Sequence, residues 1–541
     1  MRKFSLYISF ILAIFLVSCA HELPLTGGEK DTKPPVAEKF DPPNQSIKFT
    51  SKKITIDFDE FVKLKDPNKQ ILISPPGTQF EALEKGKSIQ LTITNPLKIN
   101  TTYVVNFGEA VIDNNEGNIL KNLIYTFSTG ESIDSLSSAF QVIDAYTLKP
   151  MADVKVMLYD RDVDSLPLAE LPYYAGSTGI DGAIHIGYMK PGNFKVFALK
   201  EDNKNYLYDK PNEGIGFLNP LITAGDTIPV KVLFFYEEVP NPKILSVKMP
   251  IAGIVCFKFN GNVEKEQLQI ISNNTVFDTN RFEFIGGKKD TAVYWFKSNG
   301  INDTIQFLYS RKQGEKDTVK LYPQKINLFT KKQVTGAQLV KILTIVPADF
   351  DYYKKLVLEF SYPLDSIGSD AFILREEGAK VSYTLTPIDS LKRKFILQYA
   401  FKQSKNYTVY FPRNSIKGIL GTYMDSTVIA FKTSNDKAYK TLTMNIKNPE
   451  FKGGSILQIV GIKDEILDEK KINWADSNVV VFKNLRQGSY RVRLIYDTNN
   501  NGKWDSGKYA DKRQPEKVVF FPQNIDIKPA FDFLMDWNIM K

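Results

Sequence analysis

Apolar and polar side chains alternate at period two through most of this chain, and that rhythm confines it to β-structure. Ile54-Thr55-Ile56-Asp57-Phe58, 88–94, 103–107 and 124–128 each place their apolar residues on one face of an extended strand. Gly, Asn, Asp and Pro clusters interrupt the strands at short intervals, and long stretches of helical period are scarce. Short strands with regular turn signals predict sandwiches or small barrels. A length of 541 residues predicts three to five of them, and 43% hydrophobic with 12% aromatic residues suffices for packed cores. The expected fold class is therefore all-β, built of tandem β-sandwich modules.

The N-terminus sets the expected location. Arg2 and Lys3 precede an almost wholly apolar run over 4–17. It is shorter than the ~20 apolar residues a bilayer span needs, and it fits a secretory leader over 1–18. Leu16-Val17-Ser18-Cys19 resembles a bacterial lipobox. That resemblance implies cleavage before Cys19 and covalent diacylglycerol and acyl lipid (palmitate) on its sulfur, with outer-membrane lipid as the first partner. Two or more acyl chains anchor firmly, since each buried CH₂ contributes ~0.8 kcal/mol. Ala20, where an aspartate would signal inner-membrane retention, favours the outer membrane on its periplasmic or cell-surface face. Residues 19–34, rich in Pro, Gly and charge, read as an extended tether.

With Cys19 lipidated, Cys256 is the one remaining cysteine, so no internal disulfide is expected and cores must carry the stability. Cys256 sits in the apolar run 254–259 and reads as a strand residue. The net charge of +9 falls to +7 without Arg2 and Lys3, and basic residues form no block, which excludes a nucleic-acid groove. His21 and His185 lack triad or metal partners nearby in sequence, and no phosphate loop, C-x-x-C or H-E-x-x-H is present. No catalytic residue emerges, and the chain is expected not to be an enzyme.

Internal repeats divide the chain. Residues 97–129 align without gaps to 401–433: Lys98, Tyr103, Val105, Phe107, Ile112, Gly117, Phe127 and Thr129 match Lys402, Tyr407, Val409, Phe411, Ile416, Gly421, Phe431 and Thr433. Val255, Phe257 and Phe259 echo Ile54, Ile56 and Phe58 in a fainter third copy. Phe40-Asp41-Pro42-Pro43-Asn44, Ile56-Asp57-Phe58-Asp59-Glu60 and Tyr125-Thr126-Phe127-Ser128-Thr129 resemble the bacterial Ig-like domain of a lipoprotein family common in Bacteroidota. A second repeat aligns 192–209 with 488–505; Gly192, Val196, Asn203, Asn205 and Asp209 match Gly488, Val492, Asn499, Asn501 and Asp505. Its turns, Lys190-Pro191-Gly192 and Arg486-Gln487-Gly488, resemble those of prealbumin-like or carboxypeptidase-regulatory-like sandwiches. The expected order after the tether is an Ig-like domain at 35–130, a prealbumin-like sandwich at 139–236, a degenerate Ig-like domain at 240–330, an Ig-like domain at 340–435 and a prealbumin-like sandwich at 436–541. The resemblance implies a cell-envelope protein and no catalysis.

Three features could carry binding. Asp497, Asn499, Asn501, Lys503 and Asp505 stand at positions 1, 3, 5, 7 and 9 of a calcium-type loop, with Gly502 at the sharp turn and a backbone carbonyl due at Lys503. Position 12 is Lys508 rather than a glutamate, and a turn in which Asn and Asp cap their own backbone explains the residues equally well. The acidic run 113–118 reads as a solvated turn. Aromatic runs (Tyr173-Tyr174, Phe234-Phe235-Tyr236, Tyr352-Tyr353, Phe520-Phe521) send neighbours to opposite faces where the chain is extended, so some of these rings are expected to be exposed or buried between modules. The C-terminal run with Phe531, Phe533 and Trp537 completes the last module or augments a partner's sheet edge. The expected role is a non-enzymatic outer-membrane scaffold or accessory subunit that docks other envelope proteins, such as an outer-membrane β-barrel complex. The competing role is a carbohydrate-binding or adhesive surface protein.

Overall fold

The computed structural model describes residues 31–539, apart from 204, 211, 227, 252, 272–281, 286–288, 298–303, 312–313, 322–338, 368–370, 448–450, 452, 475–477 and 529–530. Cys19 and the leader lie outside the described residues. The architecture is all-β, a series of sandwiches with three- to four-residue helical turns between strands.

In the first module a four-stranded sheet, in the order Ala37–Asp41, Lys53–Phe58, Ser88–Ile93, Phe80–Lys85, covers a three-stranded one of Ile124–Ser128, Thr102–Asn106 and Leu72–Ser74. Alternation does its work here: Ile54 and Ile56 stand opposite Leu91 and Ile89, and all four turn inward onto Tyr103, Val105, Phe107 and Phe127. The module spanning Asp349–Phe350 to Thr427–Thr433 repeats this core with Leu356, Leu358 and Phe360 against Tyr407, Val409, Phe411 and Phe431. Repeated residues make the same bonds. Tyr103 Oη accepts the Lys98 N–H at 2.6 Å, and Tyr407 Oη accepts that of Lys402 at 2.9 Å. Thr129 and Thr433 each accept the N–H that closes the same loop, from Thr101 and Lys405. Between them, Val255, Phe257 and Phe259 pack on Tyr294, Phe307 and Tyr309 in a smaller sandwich.

The second module is a single sheet ordered Tyr174–Ser177, Lys155–Tyr159, Asn193–Lys200, Gly214–Phe217, Val230–Tyr236, Leu136–Asp144, Ala183–Met189. It curls until its two end strands meet, where Ile184 lies against Gly176. Along Tyr174–Ser177, Lys155–Tyr159, Asn193–Lys200 and Gly214–Phe217 nearly every residue is buried on both faces. Phe140, Val156, Val196 and Phe234 fill the inside, while Met157, Phe197, Ile215 and Phe217 form a second apolar layer outside. A curled sheet with an apolar outer layer needs that layer covered.

The last module pairs Gly454–Val460 with Gly488–Asp497 in one sheet. Its other sheet sets Tyr439–Lys447 between Asn478–Arg486 and the parallel strand Phe533–Asn538.

Candidate functional site: the seams between modules

The polar and aromatic residues that the strands do not consume collect where modules touch. Modules one and two meet along the open edge of Tyr174–Ser177. Ser74 Oγ donates to the Tyr173 carbonyl, Asn106 Nδ2 to Ala175 at 2.5 Å, and Asn122 both donates to and accepts from the Ser177 backbone at 3.1 Å. Three side chains of one module thus stand in for a missing ladder partner of the next, and the strand edge is guarded. Tyr206 crosses the same seam, its hydroxyl donating to the Gln70 carbonyl at 3.1 Å.

Modules three and four share Trp295 and Tyr362, edge to face at 6.0 Å, and the buried Arg393, which holds Glu283 at 2.8 Å and also Glu359. Modules four and five meet at Tyr439. It lies 5.1 Å from Tyr353 and donates to Asp351 at 2.7 Å, while Arg486 reaches Asp351 at 2.6 Å and Asp349 at 2.5 Å. Burial pushes the Asp351 carboxyl up, but Lys354, Tyr439 and Arg486 outweigh it and hold the group below its ordinary range.

The fourth seam joins modules far apart in sequence. The loop after Gly488–Asp497 leaves module five and places Tyr509 on the outer layer of module two, with ring centroids 5.6 Å from Phe197 and 5.3 Å from Phe217. Tyr509 is 7% exposed, and its hydroxyl donates to the Asp164 carbonyl. In the other direction Tyr146 of module two covers Arg493 of module five, the guanidinium carbon 3.8 Å from the ring centre. Arg493 is 1% exposed and donates to Gln458 Oε1 at 2.6 and 2.8 Å and to the Tyr146 hydroxyl at 2.8 Å. Burial lowers its pKa, partly offset by the charges around it. In space the modules therefore run one, two, five, four, three.

The aromatic doublets mark these seams. Phe235 meets Gly507, Tyr352 and Tyr353 pack on Tyr439, and Phe520 joins Tyr146 in one apolar cluster; Tyr173 meets module one through its backbone carbonyl, and its ring lies on Tyr174 and Phe194 of its own module. Sequence reading missed Tyr146, Arg493 and Tyr509. One signal was available for Arg493: the gap-free repeat sets it against Phe197, a charge where its copy has a core aromatic.

The 497–505 loop is the root of the Tyr509 arm. Asp497 accepts the Asn501 and Gly502 N–H groups at 3.0 and 2.7 Å, and the amides of Asn499 and Asn501 donate to Asp505 at 2.5 and 2.6 Å. Lys503 stands 3.4 Å from Asp505. The Asp505 carboxyl is pushed up by burial and pulled down more strongly by Asn499, Asn501 and Lys503, so it sits below its ordinary range. Glu201, Asn203, Asn205 and Asp209 repeat the network in module two. A cation at Asp505 would have to turn both amides and displace the ammonium. Among the described residues no three His, Cys, Asp or Glu converge as a metal cage. The run 113–118 closes similarly, with Asp113 accepting four successive backbone N–H groups at 2.6–3.0 Å.

At the C-terminus, Phe533–Asn538 pairs in parallel with Tyr439–Lys447 and completes the last module. Trp537 is 6% exposed and packs on Phe521, Phe533 is half-buried, and Phe531 is 60% exposed. Cys256 is half-buried in its strand, with its thiol pKa raised by burial.

Residues 31–129 match the family model of the bacterial Ig-like domain. The first module is a bacterial Ig-like domain. No curated protein matches the chain. Among solved structures it is similar to the Bacillus anthracis TIE protein (8% identity over 95% of this chain and 75% of that one, TM-score 0.15). It is similar also to BcpA, the major pilin subunit of Bacillus cereus (12%, 74% and 98%, TM-score 0.15). A third is SGBP-B of a Bacteroides ovatus mixed-linkage glucan utilization locus, in complex with a heptasaccharide (10%, 72% and 93%, TM-score 0.19). Superposition at these scores is poor, and role does not follow from it.

Proposed function

We propose that this chain is a lipid-anchored scaffold of the bacterial outer membrane, held by acyl chains on Cys19, that positions other envelope proteins without catalysing a reaction. The observation that carries the reading is the return of module five onto module two. Beads on a string need no contacts between residues that lie 345 and 347 positions apart in sequence. A chain that makes them presents composite surfaces whose parts are fixed relative to one another, which is what docking of large partners requires. Arg493, Arg393 and Arg486 each bridge two modules and help to fix those surfaces. Anchoring in two dimensions raises the effective concentration near membrane partners.

The carbohydrate-binding alternative requires a row of exposed rings. Among the described residues the exposed aromatics are Phe61, Tyr236, Tyr353, Tyr410, Tyr423 and Phe531, spread over four modules. Purification of a tagged chain from mild-detergent membranes tests the reading. Stoichiometric envelope proteins are expected with it, and loss of membrane association in Cys19→Ser. Recovery of the chain alone, or membrane association unchanged by that substitution, contradicts it.

A further inference from the structure

We propose that the arm 498–517 of module five is a latch that clamps the two halves of the chain shut across the connector 237–243, and that weakening it opens the molecule while each half stays folded. Two properties of the seam carry this.

First, the arm is anchored in its own module before it reaches across. Glu516 accepts the Thr498 N–H at 2.7 Å and the Asp505 N–H at 3.1 Å, and Trp504 Nε1 donates to the Glu516 carbonyl at 3.0 Å. Each half also has a core of its own, Phe140 to Phe234 in module two and Leu442 to Trp537 in module five. The arm therefore does not depend on module two for its shape.

Second, the contact is a ring of charge around two aromatic plugs. Lys149 pairs with Asp464, Lys503 with Glu238 at 3.1 Å, and Lys512 with Asp164, with side chains from one-quarter to two-thirds exposed. Such pairs contribute little each and weaken with salt. Inside the ring, Arg493 gives up its water for a ring face and neutral acceptors; among the described residues no carboxylate hydrogen-bonds to it. Desolvating a cation against neutral partners leaves a modest net gain. The seam is thus specific but weaker than the all-apolar cores it joins. The connector is gripped at its start by the same arm: Glu237 accepts the Tyr509 N–H and Glu238 holds Lys503, so releasing the arm frees these two residues, while Pro242 and Lys243 stay bonded to module three through Tyr309 and Asn260.

Gly507 offers a selective wedge. A Cβ there would meet the Phe235 ring at 2.3 Å, and the three nearest atoms all belong to that ring of module two. A zero-length carbodiimide joins lysines to carboxylates already in contact. On the purified wild-type chain it is expected to join Lys149 to Asp464, Lys503 to Glu238 and Lys512 to Asp164, in yields near that of the intramodule pair Lys289–Glu264. Gly507→Leu overpacks the contact, and the three crossing yields should fall about tenfold. The internal pair and the far-UV circular dichroism should hold, and cleavage by a glutamyl endopeptidase after Glu237 or Glu238 should accelerate. Tyr146→Ala attacks the seam from the other side and should give the same loss if Gly507→Leu does not fold. Wild-type chain that forms the internal link but none of the crossing ones overturns the latch. So does a folded Gly507→Leu chain with crossing yields unchanged. These readings need neither membrane nor partner: failure of the Cys19→Ser or co-purification test leaves the latch standing, whereas absence of the crossing links would also remove the observation on which the scaffold reading rests.

Discussion

Single side chains here matter through the backbone groups they close. Asp497 caps the N–H groups of Asn501 and Gly502 from a site 4% exposed. Asp497→Ala should cost about 1–3 kcal/mol, the penalty of stranding buried donors, and the loss of Tm should be the same with and without excess EDTA. A chelator-sensitive Tm in the wild type would instead make the loop a cation site. Glu376 offers a pH test. Lys402, Tyr399 and Tyr407 all bond its carboxylate and hold its pKa at about 2, below the ordinary 4.5. A depressed carboxylate stabilises the fold above its unfolded pKa, and that stability disappears as pH falls through the folded value. Glu376→Gln should therefore be less stable than wild type near pH 6, with the gap closing as pH approaches 2. A gap independent of pH would mean that shape rather than charge is at stake.

At the scale of elements, the repeats allow matched experiments. Tyr103 and Tyr407 close the same corner, but Tyr407 also donates to Glu376 at 2.8 Å. Tyr103→Phe should lose about 1 kcal/mol in urea unfolding, and Tyr407→Phe more, because a bond to a charged group is worth roughly twice a neutral one. Equal losses would show that the Glu376 bond adds nothing. The strands were legible in the sequence because each has one wet face and one dry one: Lys53–Phe58 and Ser88–Ile93 alternate visibly. Gly454–Val460 is buried throughout, so period carries little information there, and it lies outside both aligned repeats. The loop 497–505 was legible as a turn, but the arm it supports was not. Tyr509 lies beyond the gap-free repeat, in a stretch with no period at all.

At the scale of the whole molecule, modules could be counted from repeats, whereas their contacts could not be read. A seam is made by residues that look ordinary in their own strand or turn, as Tyr146 does beside Asp144. Only Arg493, set against Phe197 in the repeat, betrayed that one face of module five had a different neighbour from its copy. The aromatic doublets said that some rings are exposed or buried between units, and Phe235, Tyr352, Tyr353 and Phe520 lie at seams. What this builds is a chain whose last module sits between its second and fourth.

Electron–electron distance measurement tests that placement most directly. Nitroxide labels at Thr147→Cys and Lys463→Cys, in a Cys256→Ser chain beginning at residue 20, flank the Lys149–Asp464 pair. One narrow, short distance is expected in dilute buffer. A broad distribution at long distance, with both modules folded, would contradict the shared seam.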